Sequence, residues 1–381
     1  MKKIYFTCGP SQLYPKVNQY LKAAISNDIP SISHRGKMFQ NLFAETVHNL
    51  KKLLTIPKNY HIFFLSSSLE SMERVIENCV EKSSFHFVNG AFSRKFFQLA
   101  QELKRSPKKI EVDEGKGFDL NFARHSGKSR HGGTHPESNW DSGITTFSRM
   151  TNDIELIAIT HNETSTGVST SLQYNNIMEW RRRGTLIAVD AVSSAPYVKL
   201  DFSNIDFAFF SVQKEFGLPA GMGILIVSEK AIEKSEYLRK KGINTGSYHS
   251  FSSLVEKEKK FQTPETPNVL GIYLLNKVVT DMLKKGISTI RKETDLKAKL
   301  IYDFFDNHPK YKPFVRDKIF RSKTTIVIDV KGVAKKIIEK LKTKGMIVSS
   351  GYGKFKETHI RVANFPAHKI QNIRRLLDYL I

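Results

Sequence analysis

Apolar residues along this chain fall first into short, nearly unbroken runs and later into longer helical spacing. Runs rich in β-branched and aromatic residues occupy positions 61–65, 85–88, 154–160, 185–190 and 205–211, and a further run, GILIV, starts at Gly223. Each is too short for a typical helix, and its continuous apolarity predicts a strand buried on both faces. Between most of them, as at 72–80 and 92–103, apolar positions recur every three or four residues, which predicts helices. Strands alternating with helices predict βαβ units and a mostly parallel sheet. From about Asn268 the pattern changes. Two long helical segments, 269–283 and 287–307, precede short strands at 324–330, 346–349 and 359–363 and a last helix at 367–379. The expected architecture is α/β: a large domain over residues 16–267 and a smaller α+β domain over 268–381, with residues 1–15 packing on the smaller one.

One stretch, RHSGKSRHGGTHPESNWDSG at 124–143, has no periodicity and reads as an exposed or partly disordered insertion. Its histidines, His125, His131 and His135, match no usual zinc spacing and no cysteine accompanies them, so no metal site is expected. The 381 residues exceed one ordinary core, which agrees with two domains. Sixty Lys and Arg against 37 Asp and Glu leave a net charge of +23, a balance that can mark a nucleic-acid binder. Here, however, the basic clusters are dispersed (Lys108-Lys109, Arg181 to Arg183, Arg239 to Lys241, Lys257 to Lys260, Lys284-Lys285). Others sit on amphipathic patterns such as GVAKKIIEKLKTKG from Gly332, where they form a solvated face. No nucleic-acid partner is expected; a field that draws anionic substrates, or a basic excess without a role in the reaction, remains. No apolar run approaches the ~20 residues of a membrane span, and the first residues lack the apolar stretch of a signal peptide. Two cysteines, Cys8 and Cys79, suit a reducing, cytoplasmic setting.

The densest chemistry lies in residues 187–223, IAVDAVSSAPYVKLDFSNIDFAFFSVQKEFGLPAGMG. One apolar run ends in Asp190, and a second ends at Ser211 just before Gln213-Lys214 and a Gly/Pro-rich turn. Each buried strand thus delivers a polar residue at its carboxyl end, the edge where open α/β sheets bind ligands. A carboxylate there can pair with a protonated ring nitrogen, and a neutral lysine there can form a Schiff base. Together they suggest pyridoxal 5′-phosphate (PLP); taken singly, they read equally as a loop aspartate and a surface lysine. In FFLSSSLESMERVIEN a strand runs into Ser66-Ser67-Ser68 and then a helix. Amides, hydroxyls and the helix dipole converge there on a point suited to a dianionic phosphate, although the same serines serve as plain N-caps.

Segment 187–223 resembles the core of class V aminotransferases, which are fold-type I PLP enzymes. FTCGPSQLYP (6–15), SISHRGKMFQNLF (31–43), VNGAFSRKF (88–96), HNETSTGV (161–168) and FQTPETPN (261–268) follow in the order of the phosphoserine aminotransferase group and cover nearly the whole chain. The resemblance implies that Lys214 forms the Schiff base and shuttles the proton, and that Asp190 faces the pyridine nitrogen. Ser68 and Leu69 match its phosphate-contacting positions, with serines where the family has glycines. Phe92 takes the place of the ring-stacking aromatic, against the alternative of one more core residue among 26 phenylalanines. Thr164 matches a hydroxyl near the ring's phenolic oxygen, or is a turn residue, and Gln213 fits a phosphate-side donor. Gln262 and Thr263 match an Asn-Thr pair that reaches the neighbouring subunit's phosphate site, which implies a homodimer with composite sites. Arg361 matches the arginine that holds the substrate α-carboxylate, and His34 with Arg35 would meet an anionic side chain; otherwise these are exposed basic residues. The family carries a second His-Arg pair shortly before the counterpart of Arg361. Here GYGKFKETHIR offers Lys354 and Lys356 instead, of which Lys354 is the candidate contact. The implied reaction moves an amino group between glutamate and 3-phosphohydroxypyruvate to give O-phosphoserine, a step of serine biosynthesis. HNETSTGVST and VDAVSS also resemble serine–pyruvate and alanine–glyoxylate aminotransferases, the alternative, and a non-catalytic PLP-fold protein is a third reading. A cysteine desulfurase needs a nucleophilic cysteine in the C-terminal part, where neither Cys8 nor Cys79 lies.

Overall fold

The computed structural model describes residues 3–118, 120, 153–172 and 174–380; the 124–143 segment, with His125, His131 and His135, lies outside the described residues. Seven strands form the larger sheet, in the order Tyr60–Leu65, Gly223–Ser228, Phe207–Ser211, Leu186–Asp190, Leu156–Thr160, Ser84–Val88 and Lys108–Glu111. Gly223–Ser228 runs antiparallel to both neighbours, and the remaining pairings are parallel. The central strands are buried along their whole length, which is why they read as unbroken apolar runs.

Alternate residues serve the two faces. Ile62, Phe64, Ile187, Val189, Ala208, Phe210, Ile224 and Ile226 point toward helices Lys37–Leu54 and Val269–Lys285. Phe63, Leu65, Leu186, Ala188, Phe207, Phe209, Leu225 and Val227 point toward helices Ser68–Cys79, Ala91–Glu102, Glu229–Lys240 and Phe251–Glu258. A second sheet has the order Ile4–Phe6, Met346–Ser350, His359–Ala363, Thr325–Asp329 and Lys312–Pro313. Ile4–Phe6 joins it by parallel pairing with Met346–Ser350, and Phe6 enters its core beside Ile301, Phe305, Ile337, Leu341, Ile373 and Leu376.

Two runs start later than their apolarity suggests, because an acid near the strand start ties neighbouring segments. The Glu155 carboxylate accepts from the amides of Glu81, Lys82 and Ser83. Asp206 accepts from the Ile187 amide and the Ser228 hydroxyl. Register then sets up one functional edge. Thr160 lies opposite Asp190, Asp190 opposite Phe209, and Gly223 opposite both Ser211 and Leu65. The turns that follow four strands, at 66–68, 161–164, 191–193 and 212–214, therefore emerge together.

Candidate active site

At this edge a cavity of about 290 Å³ opens, lined among others by Ser68, Leu69, Phe92, Thr164, Asp190, Gln213, Lys214 and Arg361. Lys214 is buried, and its Nζ donates to Thr164 Oγ1 at 3.1 Å and lies 5.2 Å from the Phe92 ring centroid. Burial lowers its pKa below the usual lysine value, with Asp190 opposing that shift and Arg361 adding to it. Asp190 closes its strand at 2 % exposure. Burial pushes its carboxyl up to about 7, against the Val192 amide that donates to Oδ1 at 2.8 Å and the nearby Lys214 charge. Gly9 is forced by this packing: its φ is +131°, and a Cβ would stand 3.1 Å from Lys214 Cε.

The serine turn is built by two devices. Ser67 caps helix Ser68–Cys79 by accepting from the Glu70 amide, while Glu70 accepts from the Ser66 amide and hydroxyl. Ser68 Oγ lies 2.5 Å from Ser211 Oγ, which joins the turn to the strand that leads to Lys214. Without glycines of its own, the turn passes close over Gly223, where a Cβ would lie 2.4 Å from the Ser67 carbonyl carbon. The missing side chain is supplied from the facing strand. Leu69 borders the cavity at 47 % exposure.

Phe92 and Thr164 are held by one residue that the sequence reading did not single out. Glu163 is fully buried, and its carboxylate accepts from the amides of Phe92, Ser93 and Ser165 and from the hydroxyls of Ser93 and Ser165. It caps helix Ala91–Glu102 from outside, in place of a side chain on Gly90. Thr164 Oγ1 also donates to Ser193. Gln213 Oε1 is buried with no hydrogen-bond partner. Arg361, on strand His359–Ala363, donates from Nε to the Ser350 carbonyl at 2.9 Å and from a terminal nitrogen to the Thr164 carbonyl at 3.3 Å. It has no ion pair among the described residues, so its charge faces the cavity uncompensated. Cys8, Ser211, Ser349 and Tyr352 also line the cavity; their segments meet only through tertiary packing, and no local spacing marks them.

Four candidates gather elsewhere. Arg35 donates to Gln262 Oε1 at 2.9 Å, to the Thr263 carbonyl at 2.8 Å and to the Pro264 carbonyl at 3.0 Å. His34, Arg35, Gln262 and the buried Thr263 thus form a cluster, opening to the surface at Arg35, outside the lining of this chain's own cavity. Lys354 also stays out: its side chain is 66 % exposed and its Nζ pairs with Glu114 at 2.9 Å. The nearby carboxylate, absent from any local reading of GYGKFKETHIR, takes the ammonium away from the site. Among the described residues no histidine, cysteine and carboxylate cluster could hold a metal, and no helix is long and apolar enough to cross a membrane.

A strand-end lysine and carboxyl, a helix N-terminus and an unpaired guanidinium around one cavity define a fold-type I transferase site. The family profile described as Aminotransferase class-V matches residues 138–361, and the chain belongs to that family. A solved phosphoserine aminotransferase from Cytophaga hutchinsonii is 44% identical, with a TM-score of 0.87, and the match covers 99% of this chain and 98% of that one. The phosphoserine aminotransferase of Rhodococcus opacus is 27% identical over 99% of this chain and 94% of its own length. An alanine–glyoxylate aminotransferase from Nostoc, at 19% identity and a TM-score of 0.78 over 100% of this chain and 94% of that one, shares the fold.

Proposed function

We propose that this aminotransferase uses PLP to move an amino group between glutamate and 3-phosphohydroxypyruvate, giving O-phosphoserine. The observation that carries this reading is the 44% identity, over nearly all of both chains, to a phosphoserine aminotransferase. The residues present suit the cofactor. Asp190 is a buried carboxyl whose nearby charge is that of Lys214, an amine that burial favours uncharged, so a protonated ring nitrogen would supply a partner; the Gln213 amide, donating from Nε2, and the Ser67-Ser68 helix start would suit the phosphate.

When bound, PLP supplies a carbonyl that joins to amines and a ring that draws electrons from the amino acid α-carbon. Asp190 holds a proton at the ring nitrogen. Lys214, whose burial favours the uncharged amine, would hold the cofactor and then act as the base that takes the proton from substrate Cα and returns one on the way to the oxo product. Arg361 binds the α-carboxylate through its free guanidinium edge, and Thr164 steadies the Lys214 amine. Phe92, whose ring lies 5.2 Å from Lys214 Nζ, would cover the cofactor ring and exclude water.

Among the described residues Arg361 is the one cavity-lining cation left for substrate, since burial favours the uncharged amine of Lys214. A doubly anionic substrate needs one more, and the Arg35 patch with Gln262 and Thr263 fits that need when supplied by a second copy. We therefore propose a homodimer with composite sites. Steady-state assays with glutamate against 3-phosphohydroxypyruvate, glyoxylate and pyruvate test the assignment. The highest kcat/KM is expected for the phosphorylated acceptor, and a preference for glyoxylate or pyruvate would replace this reading with the serine–pyruvate or alanine–glyoxylate type.

A further inference from the structure

Residues 351–358 connect strand Met346–Ser350 to strand His359–Ala363 and cross from the smaller sheet to the larger one. Tyr352 lines the cavity, with its ring centroid 5.3 Å from that of Phe92 and 5.3 Å from the Arg361 guanidinium carbon. Two residues on, Lys354 Nζ lies 2.9 Å from Glu114 Oε2, just past edge strand Lys108–Glu111. Arg94, on the helix that carries Phe92, lies 3.8 Å from the other Glu114 oxygen. The loop is folded back on itself: a Cβ on Gly351 would stand 2.1 Å from the Phe355 carbonyl oxygen, and the Gly351 amide donates to the His359 carbonyl at 2.6 Å. Phe355 seats the loop between Phe314 and His359.

We propose that Tyr352 is a specificity-determining residue. Held over the cavity by Phe92, Arg361 and the Lys354–Glu114 pair, it meets the acceptor's group beyond the 2-oxo carbon with an aromatic ring and a hydroxyl, where a cation would otherwise stand. The proposal rests on the transaminase reading above. Tyr352 engages Phe92 and Arg361 through its ring, and its hydroxyl has no hydrogen bond among the described residues, so it can donate to an acceptor such as a phosphoryl oxygen. The ring over Arg361 also limits the guanidinium to in-plane contacts, the ones a carboxylate uses. Lys354 is 66 % exposed, so its pair with Glu114 changes the closed population only about two- to fivefold. That strength suits a cover that must open for each product to leave.

Two measurements on the PLP-loaded enzyme test this. In steady-state kinetics, Tyr352→Phe is expected to raise KM about threefold or more for 3-phosphohydroxypyruvate while leaving KM for pyruvate within twofold, as loss of one hydrogen bond predicts. Tyr352→Ala is expected to raise KM for both by about tenfold, with kcat less affected. Equal effects of Tyr352→Phe on the two acceptors, or no effect of Tyr352→Ala, would overturn the proposal. In hydrogen exchange without substrate, Lys354→Glu should speed exchange of the amides of residues 352–358, and adding Glu114→Lys should restore it. Unchanged exchange in the single variant, or no rescue in the double, removes the pair from the cover. If the wild-type enzyme ignores the phosphorylated acceptor, the functional reading fails by itself; the exchange result still decides the cover.

Discussion

Asp190 and Arg361 make opposite demands on the fold, and each yields a test. In the cofactor-free protein the Asp190 carboxyl binds its proton more tightly folded, at about 7, than unfolded, near 3.8. The folded state then holds more protons than the unfolded one across that window, so this group costs stability as pH rises from about 4 through 7. Cofactor-free wild type should lose ~3 kcal/mol more than Asp190→Asn between pH 4.5 and 7.5 in urea titrations; parallel curves would show that burial does not perturb the group. With PLP bound, Asp190→Asn should retain the cofactor and lose activity by about a hundredfold or more, since an amide cannot hold a ring-nitrogen proton. Arg361→Lys should lower kcat/KM by about ten- to a hundredfold, mostly through KM, because a point charge replaces a fork. The places of Asp190 and Lys214 at the cavity were legible because Asp190 ends an apolar run and Lys214 follows the end of another, and strand ends survive translation into three dimensions. Gly223, Glu163 and Tyr352 were not. Their roles depend on close approaches between distant segments, as when Gly223 makes room for the serine turn.

Among the elements, helix Ser68–Cys79 has the most consequential anchor. His249 lies between Glu70, in the first turn of that helix, and Glu265, and so joins the serine turn to the segment that holds Gln262 and Thr263. Burial alone would lower the His249 pKa, but hydrogen bonds to Glu265 and Glu70 carry it up to about 9. Burial would raise Glu70, yet the bonds from His249 and Ser66 bring it down to about 2. A histidine raised on folding contributes stability below its unfolded value of 6.5 that is lost as pH climbs through 9, and the depressed Glu70 contributes above 4.5 what is lost as pH falls through 2. The clamp is therefore strongest between pH 4.5 and 6.5. Wild type should exceed His249→Gln by ~1–3 kcal/mol at pH 6, and the gap should shrink toward pH 9.5; a constant gap would mean that His249 stabilises by packing alone. The buried strands were readable from the chain to within a residue or two. Lys108–Glu111 was not, because the edge strand KKIE carries charges in place of an apolar run.

For the whole molecule, the alternation of strands and helices followed by a change of pattern near Asn268 foretold two sheets. The pairing of Ile4–Phe6 with Met346–Ser350, across nearly the full chain, leaves no periodic trace in so short a strand. The resemblance set Gln262 and Thr263 apart from this chain's own cavity, but not His34 and Arg35, whose place depends on where the chain carries them. Composite sites predict complementation. Mixtures of inactive Lys214→Ala and inactive Arg35→Ala chains, dissociated and reassembled, should recover up to about a quarter of wild-type activity, since random pairing gives hybrids with one intact site. Absence of recovery in verified hybrids would place Arg35 in the site of its own chain. The central claim, that Lys214 carries the cofactor of a transaminase, meets its most direct test in borohydride reduction of the PLP-loaded protein followed by peptide mass mapping. A pyridoxyl group is expected on the peptide containing Lys214 and none after Lys214→Ala; a label on another lysine, or no label on PLP-loaded wild type, would contradict this role for Lys214.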